Sequence, residues 1–315
     1  MPPYVASGLH KSAVGADYRF LVMQRFGDDL QKKLNVSNNT FDIKTAYTIA
    51  CKVIDILEYI HDFGYIHADI KASNLLLGRW RAPTPKGKGV NELQGIHSEV
   101  WLVDFGLVEK FKNNEGQHRE CEEDQRRANN GTVEFTSRDA HIGALSRRSD
   151  LEILAFNLLS WLSGGRLPWM SNLKDHAYVF ECKRYYMERL HELFNYAFKK
   201  PGGAGEPSPP PKNVVFNAPK NGPVLDKTKL SKDVPPGIKE FFQYIVNLDF
   251  KEQPDYQMLK DILVTALKQS NREYDGKFSF APFKPVKTAI AKVTKKIKRT
   301  SISAPSPQKG RRGKS

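Results

Sequence analysis

Residues 67–77 read HADIKASNLLL. Asp69, Lys71 and Asn74 place a carboxylate, an ammonium and an amide within six positions, and three leucines, Leu75 to Leu77, follow at once. A strand-forming apolar run directly behind a polar triplet pins it on a rigid support, as a reactive loop requires. Upstream, Ala46, Ile49, Ala50, Val53, Ile54, Leu57 and Ile60 recur at helical spacing and predict an amphipathic helix over 43–62 that delivers the chain to His67. Downstream, residues 79–98 are rich in Gly, Pro and Lys and predict a long loop, after which VWLVDFG (100–106) reads as a buried strand ending in a turn. Together the two strands make a hairpin with a long basic tip.

That hairpin carries DFG (104–106) to the triplet. Two carboxylates and an amide suit a magnesium–phosphate site, because Mg2+ takes few protein oxygens, keeps waters and draws its remaining ligands from phosphates. The chemistry these groups fit is phosphoryl transfer. Asp69 orients the attacking hydroxyl and accepts its proton, Asn74 and Asp104 hold the metal, and Lys71 neutralises charge on the transferred group.

Along the rest of the chain, residues 18–24 (YRFLVMQ) predict a strand, Gly27 and Asp28 a turn, and 29–34 the start of a helix. Residues 107–148 show no sustained period, and 151–163 predict a buried central helix that starts at Asp150. Residues 199–237, with GGAGEPSPPP, predict a long loop, and helices resume over 238–248 and 256–268. Cys51, Cys121 and Cys182 form no CxxC pair and leave one thiol over in any pairing, which suits a reducing compartment. The most apolar run, 151–165, is too short to cross a bilayer, so no membrane partner is expected. The net charge of +14 sits in the tail: residues 284–315 hold eleven Lys and Arg and no acid, leaving 14 − 11 = +3 for 1–283. The basic run 295–299 predicts a disordered tail suited to nuclear import or nucleic-acid contact, and phosphate on Thr300, Ser301, Ser303 or Ser306 would weaken that contact.

HADIKASN, DFG and SRRSDLE together resemble the carboxyl-terminal lobe of a eukaryotic protein kinase. More narrowly, YIHADIKASNLLL, GTVEFTSRDAH, SRRSDLEIL, LPW and NLKD, in that order over roughly residues 2–280, resemble the vaccinia-related kinases of the casein-kinase-1 group. The resemblance implies an α+β, protein-kinase-like fold: mostly the helical C-lobe, with a remnant N-lobe strand and a hinge near 23–27. The kinase domain would span 1–283 and the basic tail 284–315. It implies Asp69, Lys71 and Thr132 as catalytic residues, with Thr132 bridging the other two, and Asn74 and Asp104 as metal ligands. Met23 takes the gatekeeper position, and Gln24, Arg25 and Phe26 face the adenine of ATP. The implied activity is Mg2+- and ATP-dependent phosphorylation of serine and threonine on protein substrates, among them chromatin proteins such as histones and barrier-to-autointegration factor, in the nucleus with a cytoplasmic pool.

Three departures shape these expectations. Ala68 stands where the family's larger pattern has arginine, which removes a grip on a phosphorylated activation loop, so 107–135 is expected to order without phosphorylation. SRDA (137–140) replaces A-P-E, a variation that itself resembles the casein-kinase-1 group. The glycine-rich loop, strand lysine and helix glutamate that a kinase sets upstream of its hinge are not found; Gly8 and Gly15 make no G-x-G-x-x-G, and Lys11 falls on a turn-like segment. With strand 18–24 lacking sheet neighbours, this chain is expected to bind ATP poorly and to transfer phosphate weakly or not at all. The alternative to an enzyme is then a kinase-like scaffold that binds partners or chromatin. A small-molecule phosphotransferase fits less well, because GTVEF and the residues after Asp104 match protein kinases.

Overall fold

The computed structural model describes residues 2–78, 96–198 and 230–280. In chain order the elements are β1 (Tyr4–Lys11), β2 (Asp17–Met23), α1 (Leu30–Val36), α2 (Ile43–Asp62), β3 (Tyr65–Ile66), β4 (Leu75–Leu77), β5 (Ile96–His97), β6 (Val100–Leu102) and β7 (Glu109–Lys110). They continue with α3 (Arg138–His141), α4 (Arg147–Ser163), α5 (His176–Glu188), α6 (Leu190–Phe198), α7 (Ile238–Asn247), α8 (Tyr256–Gln269) and β8 (Phe278–Ser279). Residues Met1–Ala281 form one unit; the chain from Pro282 on, with the basic tail, lies outside the described residues. So do the loop segments 79–95 and 199–229.

α2 forms where its apolar spacing predicts. Asp42 caps it by accepting from the Lys44 and Thr45 amides, and its apolar face is fully buried from Ala46 to Leu57. α4 is the central helix. Ser146 caps it through the Ser149 amide, and Gly164, in the left-handed region at φ 74°, ends it. Leu151, Leu154, Ala155, Phe156, Leu158 and Leu159 are all 0 % exposed, so α4 has no solvent face in its middle and every neighbour packs on it. α2 lies against α4 and α8, and α4 against α6 and α7. Aromatic rings fill the gaps, with Phe156 edge-on to Trp169 at 5.0 Å and Phe194 edge-on to Phe242 at 5.3 Å.

Strands serve as short clamps on this helical body. β4 pairs antiparallel with β6, Leu75 opposite Leu102, which is the expected hairpin. β3 pairs with β7, and β5 with β8. The Thr45 hydroxyl donates to the Ser279 carbonyl at 2.8 Å, tying β8 to the start of α2.

Three expectations need correction. Lys11 ends a strand over 4–11 and does not lie on a turn-like segment: β1 pairs with β2, so β2 has a sheet neighbour, and the turn lies at 12–16 with Gly15 at φ 81°. The strand signal of YVASGLHK is masked by Ser7 and Gly8; the Gly8 position lies under the Phe20 ring, where a Cβ would come within 2.6 Å. Second, α4 begins at Arg147, one turn before Asp150, because Ser146 and not Asp150 caps it. Third, the predicted 79–98 loop ends by Ile96, where β5 starts. α3, α5 and α6 carry no expectation; the buried positions of α3 and α5 mix charged and apolar residues.

Leu154 touches the core on every side. Leu154→Ala is expected to cost about 2–5 kcal/mol of unfolding free energy in urea denaturation.

Candidate functional site

The 67–74 loop is built on a buried carboxylate. Asp150 is 0 % exposed; its Oδ2 accepts from the His67 amide at 2.7 Å and its Oδ1 from the Ala68 amide at 2.8 Å. Ala68 sits at φ 65°, a left-handed conformation that an L-residue holds only when both flanks are fixed. Asp150 Oδ2 also accepts from His61 Nε2 on α2 at 3.0 Å, and His61 Nδ1 accepts from the Tyr256 hydroxyl on α8 at 2.7 Å. α2, α4, α8 and the loop thus meet at one carboxylate. On α4, Asn157 donates to the Ile70 carbonyl at 2.8 Å and fixes the loop midway.

His67 couples this loop to the DFG strand. Its Nε2 donates to the Val103 carbonyl at 3.2 Å and its Nδ1 accepts from the Asp69 amide at 3.3 Å, so both bonds need the neutral Nε2–H tautomer. Burial lowers the imidazole below its ordinary value, opposed by the Asp150 charge and the Val103 bond. The Phe105 ring stands edge-on to His67 at 5.2 Å.

The triplet converges on Asp69. Lys71 Nζ donates to Asp69 Oδ2 at 2.7 Å and to the Thr132 hydroxyl at 3.0 Å. That hydroxyl donates to Asp69 Oδ1 at 2.8 Å, and the Thr132 amide donates to the same oxygen at 3.1 Å. Asn74 Nδ2 donates to the Asp69 carbonyl at 2.9 Å and to Oδ2 at 3.2 Å. Burial pushes the Asp69 carboxyl up, but the bonds from Lys71, Thr132 and Asn74 and the Lys71 charge outweigh it and hold the group below the usual carboxylate range. Gly131, at φ 99°, lets the Thr132 segment approach: a Cβ there would lie 2.8 Å from the Ala68 carbonyl oxygen.

The Val103 amide donates to the Asn74 carbonyl at 3.0 Å, so Asn74 and Asp104 flank one end of the β4–β6 ladder. Asp104 is exposed, at φ 67°, and its carboxylate accepts only from the Gly106 amide at 3.4 Å among the described hydrogen bonds. Asn74 uses its NH2 on Asp69, which leaves the lone pairs of its side-chain oxygen for a cation. An open carboxylate and an amide oxygen are the hard, sparse ligand set that Mg2+ takes, so these residues fit that ion. Among the described residues no group of three or more His, Cys, Asp or Glu could hold a metal, so no all-protein cage competes with this pair.

At the other end of β4, the Gly27 amide donates to the Leu77 carbonyl at 2.9 Å and the Leu77 amide to the Asp28 carbonyl at 2.9 Å. Only glycine fits at 27, since a Cβ would lie 2.6 Å from the Leu77 oxygen. Met23 ends β2, half-exposed, and Gln24 and Arg25 follow it. Phe26 departs from expectation: its ring is buried and packs on Trp101 at 5.2 Å, so it props the hinge from below and offers a nucleotide no side-chain face.

The structure therefore brings Asp69, Lys71, Thr132 and Asn74 into one network, places Asp104 at its rim, and sets Met23, Gln24 and Arg25 apart, just before the Gly27 contact at the other end of β4. Sequence reasoning missed His61, Tyr256 and Asn157. Asn157 left a signal, a lone amide within the apolar LEILAFNLL; His61 and Tyr256, far apart in sequence, left none.

A protein kinase domain model matches residues 8–138. The chain is 32 % identical over 280 residues to nucleosomal histone kinase 1 of Drosophila melanogaster, covering 88 % of this chain and 38 % of that protein. It is 37 % identical over 264 residues to the human serine/threonine-protein kinase VRK2, covering 84 % and 42 %. The chain thus spans about two fifths of the length of these relatives. The solved structure of vaccinia related kinase 3 superposes with a TM-score of 0.61 at 26 % identity, covering 87 % of this chain and 68 % of that one.

Asp150→Ala would orphan two buried amides and the His61 ring, and is expected to cost about 3 kcal/mol in urea denaturation. The His67 ring is expected to stay in the Nε2–H tautomer and to titrate below the ordinary 6.5 in NMR, so that its contribution to stability is whole above pH 6.5 and is lost as pH falls through the folded value. The fold, the ordered motifs and these likenesses agree: the chain carries a protein kinase domain, similar to those of the vaccinia-related kinases.

Proposed function

We propose that this chain carries the catalytic and metal-binding half of a serine/threonine protein kinase site, acting on hydroxyls of protein substrates with Mg2+-bound ATP. The single observation that supports this most is the Asp69–Lys71–Thr132 triangle, with all three legs between 2.7 and 3.0 Å. Four donors fill Asp69 when no phosphate is near. When a phosphoryl group enters, the Lys71 ammonium turns to it and vacates Oδ2, which then accepts the proton of the attacking hydroxyl. A carboxylate below its usual range is a weak base, and that suffices where the transition state is loose and the protein's work is mainly positioning. Mg2+, held by Asn74 and Asp104, would supply charge neutralisation on the phosphate oxygens.

β4 fixes the spacing. The hinge end at Leu77 and the Asn74 end are three residues apart, about 10 Å at strand rise, which suits a nucleotide with its base at one end and its phosphates at the other. In this reading Met23, Gln24 and Arg25, with the Phe26 main chain, line the adenine. Thr132 is the threonine expected of serine/threonine specificity. The kinase domain is assigned to residues 1–283. Chromatin proteins are the proposed substrates, supported by the name of the Drosophila relative and by the eleven cations of the tail, which suit nucleic-acid contact and a nuclear site with a cytoplasmic pool.

A second reading, a scaffold that binds chromatin or partners without turnover, is favoured by one observation. The 315 residues contain no G-x-G-x-x-G to cover the phosphates, and both faces of β1–β2 are exposed, with Tyr18, Phe20, Leu21 and Val22 between 40 and 57 % accessible. The deciding assay incubates the 315-residue polypeptide with histone and labelled ATP. Slow transfer is expected, dependent on Mg2+ and reduced at least about 100-fold by Asp69→Asn. Transfer that is absent, or equal in wild type and Asp69→Asn, would replace the enzyme reading with the scaffold.

A further inference from the structure

Lys183 is a fully buried cation that the chemistry above does not use. It sits on α5 within the buried stripe of Val179, Cys182, Tyr186 and Met187. Its ammonium donates to the Val133 carbonyl at 2.7 Å, to the Thr136 carbonyl at 2.7 Å and meets His141 Nε2 at 3.3 Å. A lysine has three N–H donors and no acceptor, so the three acceptors use its capacity in full. The Phe156 and Trp169 rings lie 5.3 and 5.2 Å from the nitrogen and present aromatic faces to the cation.

His141 extends the grip. Its Nε2 accepts from Lys183, so its Nδ1 carries the proton and donates to Asn129 Oδ1 at 2.7 Å. Burial, with the Lys183 and His176 charges, lowers this ring to about 3, which keeps it neutral and able to accept. Trp169 Nε1 adds a bond to the Glu134 carbonyl at 2.8 Å. One buried nitrogen therefore ties down 133 and 136 directly and 129 through His141. Thr132, the residue that holds Asp69 and Lys71, lies between these anchors.

Stability alone does not account for a charge in this place. Burial pulls the ammonium down to about 7, opposed by Glu152 and Glu134, and an apolar side chain of equal length would remove that penalty. The bonds go instead to two main-chain carbonyls and, through His141, to the Asn129 side chain, on a segment without regular structure, which has no ladder of its own to set its path.

We propose that Lys183 is a positioning residue: it clamps the 129–136 segment from beneath so that Thr132 is held against Asp69 and Lys71, and the protein substrate meets a preset surface. The inference rests on the kinase reading for its catalytic consequence, but its structural part does not.

The test is amide hydrogen exchange on the full chain, followed at Thr132, Phe135 and Thr136, whose amides are bonded to Asp69 and to the Thr132 carbonyl. In Lys183→Met these three are expected to exchange at least 10-fold faster, while the amides of α4 keep their protection; Lys183→Arg, which retains the donors, is expected to recover part of the loss. Unchanged protection at all three, or loss in step with α4, would overturn the clamp. Should Lys183→Met not fold, Lys183→Gln is read the same way, with a 3-fold or greater local acceleration expected and an unchanged pattern again overturning the clamp. In parallel, histone phosphorylation by Lys183→Met is expected to show a raised KM for the protein substrate with the KM for ATP unchanged. If wild type shows no Asp69-dependent transfer, the kinase reading fails while exchange still decides the clamp.

Discussion

Everything at the site depends on one buried carboxylate. Asp150 takes no part in chemistry, yet it holds two consecutive amides, His67 and Ala68, and orients His61 between α2 and α8. A main chain with φ 65° at Ala68 has no local reason to keep that shape. The carboxylate supplies one, because releasing either amide would leave it unpaired in the core. Removing Asp150 would thus loosen the loop and three helices at once, which places the origin of the active geometry in α4 and not in the loop itself.

The same arrangement recurs along the segment that follows Thr132. Arg138 makes a two-pronged contact with Glu152 through Nε and Nη2, and Arg148 grips Asp139 in the same manner. Both partners of α4, Arg148 and Glu152, stand in its first two turns, beside Asp150. The N-terminal end of α4 therefore carries three charged anchors, Asp150 to the 67–68 loop and Arg148 and Glu152 to the short helix α3, while the rest of the helix is largely apolar. The helix acts as a rigid post: its apolar length fixes it in the core and its polar head fixes the loops.

Much of this was legible in sequence. α2 has the predicted bounds because its period and its Asp42 cap agree, and β4 and β6 pair as the apolar runs on either side of the basic insertion imply. Asp69, Lys71 and Asn74 were legible because local spacing alone sets their convergence. Thr132 came only with the family likeness, since 63 residues separate it from Asp69. Asp150 was placed at a helix start, but its partners could not be read, because a carboxylate three residues into a helix usually serves that helix's own amides. Lys183 had a faint mark, a lysine in the apolar stripe of α5, and such a lysine ordinarily reaches out to water instead. Phe26 was placed by the family likeness of the hinge strand alone, and only the position of Trp101 shows that its ring points inward.

The distribution of legible and hidden residues follows a physical division. Groups that face substrate act through their own chemistry, so residue type and spacing announce them. Groups that position act through the shape of the core, and the same Asp, His or Lys would be unremarkable elsewhere. Positioning groups are also the costlier ones to keep, since each is a polar atom taken out of water and worth retaining only when its partners are complete. Asp150 has three donors, and the Lys183 ammonium has three acceptors. Complete partnership of a buried charge, on chain that has no regular structure of its own, is therefore the structural mark by which further positioning residues in this fold can be found.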